Sequence, residues 1–344
     1  MITTEGITSA HAGGRALSRK LHLLMCENRR WQEIVGLTTV AELNTAVREG
    51  YASEVILVTE ALQERKLAKV ASEIKQLGTR LVMLAGPSSS GKTTTAKRLA
   101  VQLSAEGLWP VSISMDDYFL DRELTPRDEK GEYDFECLGA LNVPLFNEHL
   151  NALLAGETVE LPKYDFHTGK NIPSGRKLQL TPEHVLIVEG IHALNPDLTR
   201  DVPEECKFLL YVSALTTIQL DSERRISTSD NRLLRRIVRD SKFRNYSATE
   251  TIHRWPSVRA GEEKWIFPFQ DNADMMVNSA LIYELAVFRP HVEPLLRQVP
   301  PDTYEGSEAR RLLQLLEGFE PIPDKQIPLT SLVREFLGGS TFDY

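Results

Sequence analysis

The stretch Gly86-Pro87-Ser88-Ser89-Ser90-Gly91-Lys92-Thr93 decides the fold. It follows the apolar run Leu81-Val82-Met83-Leu84-Ala85 and opens a helix-favouring segment, Thr94 to Leu103, so the predicted order is strand, phosphate loop, helix. Gly86 and Gly91 let the backbone curl until the amides around Ser88, Ser89 and Ser90 face one anion, and the helix behind them adds a partial positive charge. In such a loop Lys92 reaches the β- and γ-phosphates, the Thr93 hydroxyl ligates magnesium, and Thr94, in the first helical turn, joins the residues expected to bind the nucleotide. The pattern predicts a cradle for a nucleoside triphosphate such as ATP. A serine-rich surface turn is the plain alternative, and the strand and helix on either side speak against it.

Outward from the loop, apolar strand-like runs alternate with helical ones, which predicts an α/β fold with a parallel sheet flanked by helices. Expected strands are Leu81 to Ala85, Val111 to Met115, Val185 to Val188, Phe208 to Val212 and Ala273 to Val277. Helices are expected near Thr93 to Leu103, Leu145 to Leu154, Asn231 to Asp240 and Ala280 to Phe288. Residues 1 to 77 read as a polar tail and a small, mostly helical cap or connector, with helical spacing in Val40 to Val47 and Glu60 to Leu77. The division predicted is 1–77 for that cap, 78–300 for the phosphate-loop domain, and 301–344 for an extension packed on it, with one helix at Ser307 to Glu317 and an amphipathic end at Leu329 to Leu337.

Composition narrows the class. The chain has 344 residues, is 42% hydrophobic and carries 40 basic against 48 acidic residues, a formal charge of −8. That balance argues against a protein whose main task is to neutralise a nucleic-acid backbone. Cys26, Cys137 and Cys206 are scattered, which suggests neither zinc nor a disulfide framework. The N-terminus lacks the pattern of a signal peptide, and no run reaches the length of a membrane span, so a cytoplasmic, unanchored protein is expected.

Three groups of residues carry candidate chemistry. Ser114-Met115-Asp116-Asp117-Tyr118-Phe119 places two carboxylates at the carboxyl edge of the sheet, where open α/β sheets bind ligands. Asp116 is the candidate general base for a phosphoryl acceptor, although aspartates also favour turns and helix caps. Glu189, at the end of Val185-Leu186-Ile187-Val188, is the candidate second magnesium oxygen beside Thr93. Arg232, Arg235, Arg236, Arg239 and Arg244 gather on and beyond one predicted helix and read as a lid of guanidinium groups closing over a phosphate, with a solvated basic helix or RNA-facing patch as the alternative. Between the second and third of these strands, Tyr133-Asp134-Phe135-Glu136 and Tyr164-Asp165-Phe166 suit a hydroxylated ring or serve as core. His167 and His192 form no metal-like pairing.

Taken together, GPSSSGKTT, MDDYF, YDFE, KYDF, VEGI and RRIVRD resemble the uridine kinase family, within the larger group that includes phosphoribulokinase. Residues from Tyr246 to Gln270 and from Val333 to Ser340 resemble a bacterial branch of it, so the resemblance spans about residues 35 to 344. It implies that Asp116 is the catalytic aspartate holding a ribose 5′-hydroxyl and that Glu189 is the acid near magnesium. It also implies that Arg236 and Arg239 clamp the transferred phosphate and that Arg244 is a further basic residue of the nucleotide site. Phe119, Glu136, Tyr164 and Phe166 fall on the acceptor side, with Tyr164 and Phe166 flanking a nucleoside. Glu136 stands where pyrimidine nucleoside kinases have an aspartate, and Gly169 where they have a base-reading histidine.

The function these features imply is phosphorylation of a nucleoside 5′-hydroxyl, uridine or cytidine first, with ATP and Mg²⁺. One rival keeps the chemistry and changes the acceptor to a sugar, sugar phosphate or pantothenate-like alcohol. The other is a nucleotide-sensing, RNA-associated module without turnover. By family analogy a homo-oligomer is expected, with a small molecule as partner and neither membrane nor stable nucleic acid.

Overall fold

The computed structural model describes residues 18–127, 131–165 and 167–344. Its centre is a five-stranded parallel sheet in the order β2-β5-β1-β6-β7, formed by β1 (Leu81–Ala85), β2 (Trp109–Ser114), β5 (His184–Glu189), β6 (Lys207–Ser213) and β7 (Met275–Asn278). Every residue of β1 is buried, as a central strand covered on both faces must be. Its alternation sends Leu81, Met83 and Ala85 into one apolar layer and Val82 and Leu84 into the other. After β1 the chain crosses through α4 (Lys92–Ala105) to the far side of β5, whereas β6 lies on β1's opposite flank. The loop after β1 therefore sits where the strand order reverses, the position at which open α/β sheets bind ligands.

The second layer holds α3 (Ala52–Leu77) and α4 against β1, β5 and β6. The first holds α5 (Val143–Leu154) and a separate antiparallel hairpin of β3 (Val159–Asp165) and β4 (Lys170–Leu178). α1 (Arg19–Val35) adds Leu21 and Leu24 to that layer and reaches the far edge of the sheet, where Lys20 Nζ donates to the Asp271 carbonyl. A third cluster joins α2 (Val40–Arg48), the start of α3, α6 (Thr228–Phe243), α7 (Ala248–Trp265), α8 (Glu284–Leu296), α9 (Tyr304–Glu317) and the single turn α10 (Arg334–Leu337). Thr39 and Glu42 form a reciprocal capping box that starts α2, and Gly78 ends α3 in the left-handed conformation at φ 65°.

The α/β class, the parallel sheet and the helical N-terminal segment agree with the sequence reading. Several elements differ. The hairpin was not expected, because Pro162 and Pro173 face each other inside it and proline lacks the ladder N–H. The helix α7 contains Pro256, an ordinary helix breaker, and runs through it. α3 begins eight residues earlier than Glu60, at Ala52. The amphipathic end at Leu329 to Leu337 is mostly turns, helical only over Arg334–Leu337. Among the described residues, no helix is long and apolar enough to cross a membrane, and Cys26, Cys137 and Cys206 are all free.

Candidate active site

The phosphate loop owes its shape to three backbone facts. A Cβ on Gly86 would run into the Val212 carbonyl of the neighbouring strand, so no side chain fits there. Ser89 adopts φ 57° and Gly91 φ 81°, which turns the chain into the N-terminus of α4. Lys92 folds back along the loop, with Nζ 3.0 Å from the Gly86 carbonyl and 3.3 Å from that of Pro87. The hydroxyls of Ser89 and Ser90 are buried without a hydrogen-bond partner in the protein. A buried hydroxyl in this position is costly unless something accepts from it, and a bound phosphate would supply such an acceptor.

The loop is held from outside by an ion-pair frame. Arg232 on α6 pairs with Glu262 on α7 through both guanidinium nitrogens, and its Nη1 also donates to the Ser88 carbonyl at 3.0 Å. The same Glu262 accepts from the Ser88 amide at 3.0 Å, so one acid and one base grip both backbone polar groups of a single loop residue. Arg235 donates to the Ser89 carbonyl at 3.2 Å and to Glu284 on α8 at 2.6 Å, while Ser279 Oγ donates to the Ser90 carbonyl. Arg232 and Arg235 are 1% and 0% exposed. Their assignment to a guanidinium lid is therefore corrected: these side chains spend their donors on buried carboxylates and loop carbonyls and cannot close over a ligand.

Of the remaining arginines, Arg236 reaches the loop directly. Arg236 Nη1 donates to Ser88 Oγ at 2.8 Å, and its Nε donates to Asp240. Arg239 pairs with the same Asp240 at 3.0 Å, and Arg244 lies 3.7 Å from it. The Asp240 carboxylate thus gathers three cations, of which Arg236 also bonds the loop. Desolvation lowers the affinity of Arg236 and Arg244 for their protons, although a guanidinium stays charged.

Across from the loop, β2 and β5 end side by side, with Ser114 in register with Glu189. The Thr93 hydroxyl donates to Glu189 Oε1 at 3.0 Å. Asp116 follows in a short 3-10 turn whose start is capped by Ser114 Oγ. Its side chain is exposed to water, yet protein groups lie close around it. That crowding raises its carboxyl above the ordinary range, Lys92 and Arg244 pull it back, and Asp117 pushes it up. Glu189 is likewise raised by desolvation and lowered by Lys92. The mutual influence of Asp116, Glu189 and Lys92 marks them as one charge cluster. Asp117 is turned elsewhere: its carboxylate accepts from the Tyr164 amide and its carbonyl from Asn171, which fastens the hairpin to the sheet edge.

Thr93 and Glu189 are the residues available to a cation. Magnesium retains waters and takes few protein oxygens, so a hydroxyl and one carboxylate on adjacent elements suit it. Among the described residues no larger cluster of His, Cys, Asp and Glu offers an alternative.

On the acceptor side, Phe119 packs on Tyr164 with ring centroids 5.5 Å apart and meets Phe135 edge-on at 6.1 Å. Glu136 lies within electrostatic reach of Arg236 and Lys92, and desolvation raises its carboxyl. Phe166 lies outside the described residues. Gly169 closes the hairpin at φ 69°, and a Cβ there would stand 2.7 Å from Arg122 Nε, so a side chain at this position would strain the backbone and displace Arg122. His192, three residues beyond Glu189, is 2% exposed and stacks edge-on to Trp265.

Sequence reasoning missed the residues that support the loop. Glu262, Glu284 and Ser279 belong to no motif, and only tertiary packing sets Glu262 on Ser88, Ser279 on Ser90, and Glu284 on the Arg235 that bonds Ser89. It also missed Glu335 and Tyr344, which reach Thr94 from the far end of the chain.

Comparison with known proteins places this geometry. The model of the phosphoribulokinase / uridine kinase family matches residues 81–284. A uridine kinase of Staphylococcus aureus (strain JH9) is 31% identical over 202 residues, covering 58% of this chain and 87% of that one. Among solved structures, one described as a "possible uridine kinase" from Bacillus stearothermophilus aligns over 63% of this chain and 97% of its own, at 22% identity and a TM-score of 0.41. A D-glycerate 3-kinase from Cryptococcus neoformans aligns over 79% of this chain and 88% of its own, at 16% identity and a TM-score of 0.28. The phosphate loop, both acidic strand ends and the arginine helix all fall inside the matched region, and this chain belongs to the phosphoribulokinase / uridine kinase family of P-loop kinases, which use ATP to phosphorylate an alcohol.

Proposed function

We propose that this kinase transfers the γ-phosphoryl group of ATP to the 5′-hydroxyl of a pyrimidine nucleoside, uridine or cytidine. The observation that carries the proposal is the charge cluster of Asp116, Lys92 and Glu189 at the carboxyl end of the sheet, beside the loop. Asp116 stands in contact with water, and desolvation raises its affinity for a proton while Lys92 and Arg244 favour its ionised form, a balance that suits a group accepting a proton. The acceptor hydroxyl gives its proton to the Asp116 carboxylate as its oxygen bonds to phosphorus and the bond to the departing nucleoside diphosphate breaks. Lys92 and the loop amides hold the phosphate chain, and Arg236, seated on Ser88, meets the charge that spreads over the transferred oxygens. Thr93 and Glu189 would hold the magnesium ion, whose charge supplies further neutralisation of the phosphates. Phe119 and Tyr164 offer an apolar wall for a ring, and Glu136 offers an acceptor for ribose hydroxyls.

A second reading keeps this chemistry and changes the acceptor to another small alcohol. It is favoured by Gly169, where Arg122 fills the space a base-reading side chain would need. An RNA-associated role finds less support, because Arg232 and Arg235 are turned inward on carboxylates. A panel of nucleosides, sugars, sugar phosphates and pantothenate-like alcohols, incubated with γ-labelled ATP, tests the proposal. Label on uridine or cytidine is the expected result; label only on a non-nucleoside alcohol favours the second reading, and no transfer to any nucleoside overturns the first.

A further inference from the structure

The chain's last turns reach back to the helix that follows the phosphate loop. Leu332, Val333 and Phe336 are at most 1% exposed, and Leu332 packs against Gly91, where an added Cβ would meet its Cδ1 at 2.7 Å. Tyr283, just before α8, ties this strap down, donating its hydroxyl to Glu60 on α3 and lying 3.2 Å from Ser331 Oγ, and Lys242 at the end of α6 donates to the Leu337 carbonyl at 2.9 Å. From this anchored base one carboxylate projects. Glu335 Oε2 accepts from both the Thr94 amide at 3.2 Å and the Thr94 hydroxyl, and Tyr344 OH lies 2.9 Å from the same hydroxyl. Tyr344 also faces Lys97 across 5.8 Å, so residues 335 to 344 cover the first turn of α4 and leave Thr94 0% exposed.

That amide is not an ordinary helix end. In a phosphate loop the first-turn amides are the donors that cradle the α- and β-phosphates of a nucleotide. A carboxylate from the same chain already holds one of them. Resting on the reading of this loop as a nucleotide site, we propose that the C-terminal strap completes that site and that Glu335 is an internal competitor for the Thr94 donor, so that nucleotide affinity is set by exchange of carboxylate for phosphate. The strap's apolar base need not move: rotation of the Glu335 side chain and displacement of Tyr344 free the donor. A plain helix cap would have the opposite consequence, since it would order α4 and favour the loop in its binding conformation.

Calorimetric titration of the full chain with MgADP separates the two. Glu335→Ala removes the competing charge and is expected to bind about tenfold more tightly than wild type, the scale of one charge-assisted hydrogen bond. Glu335→Gln, which keeps the shape and loses the charge, should fall between, and Tyr344→Phe should tighten binding about twofold. Nucleotide-free melting identifies any variant that fails to fold; if Glu335→Ala does, Glu335→Gln decides. Equal or weaker binding by the deciding variant, while wild type binds MgADP, overturns this inference and leaves the nucleotide site standing. Absence of binding in wild type and variants alike overturns both.

Discussion

The hydroxyl of Thr93 donates to Glu189 across 3.0 Å although 96 residues separate them. The parallel pairing of β1 with β5 makes this meeting inevitable, because it sets Leu84 against Glu189 just before the loop begins. If these two side chains are the protein's hold on magnesium, Glu189→Gln raises the magnesium concentration for half-maximal turnover by about 10- to 100-fold. A magnesium titration at saturating ATP measures it, and an unchanged midpoint argues that Glu189 only caps Thr93.

Gly86 offers a test of the loop's geometry. Its missing Cβ leaves space that belongs to the Val212 backbone, which cannot swing aside as a flexible side chain could. Gly86→Ala should still fold, yet lose more than about tenfold in nucleotide affinity as the loop amides are pushed out of line. Equilibrium binding of ADP, with circular dichroism as the folding control, gives the answer.

The Arg232 and Glu262 pair predicts a stability effect. Both side chains are at most 2% exposed, so removing Glu262 leaves Arg232 buried without its counter-ion. Glu262→Ala should cost about 3–5 kcal/mol in urea unfolding, and the double variant Arg232→Met with Glu262→Leu should recover part of it by replacing the ions with packed apolar groups. The double variant should nevertheless bind ATP poorly, because the Ser88 peptide then loses both its donor and its acceptor.

A pH effect follows from His192. Desolvation holds its pKa at about 4 in the folded chain, against 6.5 for an ordinary histidine. The folded state therefore binds this proton less readily than the unfolded state. The stability contributed by the neutral ring is complete above pH 6.5 and is lost as pH falls towards 4, by about 3 kcal/mol in all. His192→Gln cannot titrate, so the difference in unfolding free energy between it and wild type should change over that window and be flat above it. The raised acids of the site titrate in both proteins and cancel in the comparison.

How much of this was legible in the sequence differs by element. The strand Leu81–Ala85 could be read to the residue, since its apolar run is bounded by the glycine loop and buried on both faces. The hairpin could not, because Pro162 and Pro173 weaken the local strand signal and only their placement opposite each other tolerates both. At the site, Lys92, Thr93, Asp116 and Glu189 were accessible to reasoning because each is tied to a strand end or a glycine-marked turn. The roles within the arginine group were not. Helical spacing puts Arg232, Arg235, Arg236 and Arg239 on one face of α6, within an arc of about 100°, so spacing alone does not say which of them meet buried glutamates. Glu262 and Glu335 lie on elements whose position relative to the loop is fixed only by tertiary packing, so nothing local to them announces a role.

The central claim is that the carboxylate of Asp116 takes the proton of an alcohol attacking the γ-phosphate held by Lys92. The most direct measurement is turnover of Asp116→Asn against its affinity for MgATP, at a pH near 7. The account predicts affinity within about twofold of wild type and turnover lower by about 10² or more, the usual worth of a general base. Turnover equal to wild type contradicts it.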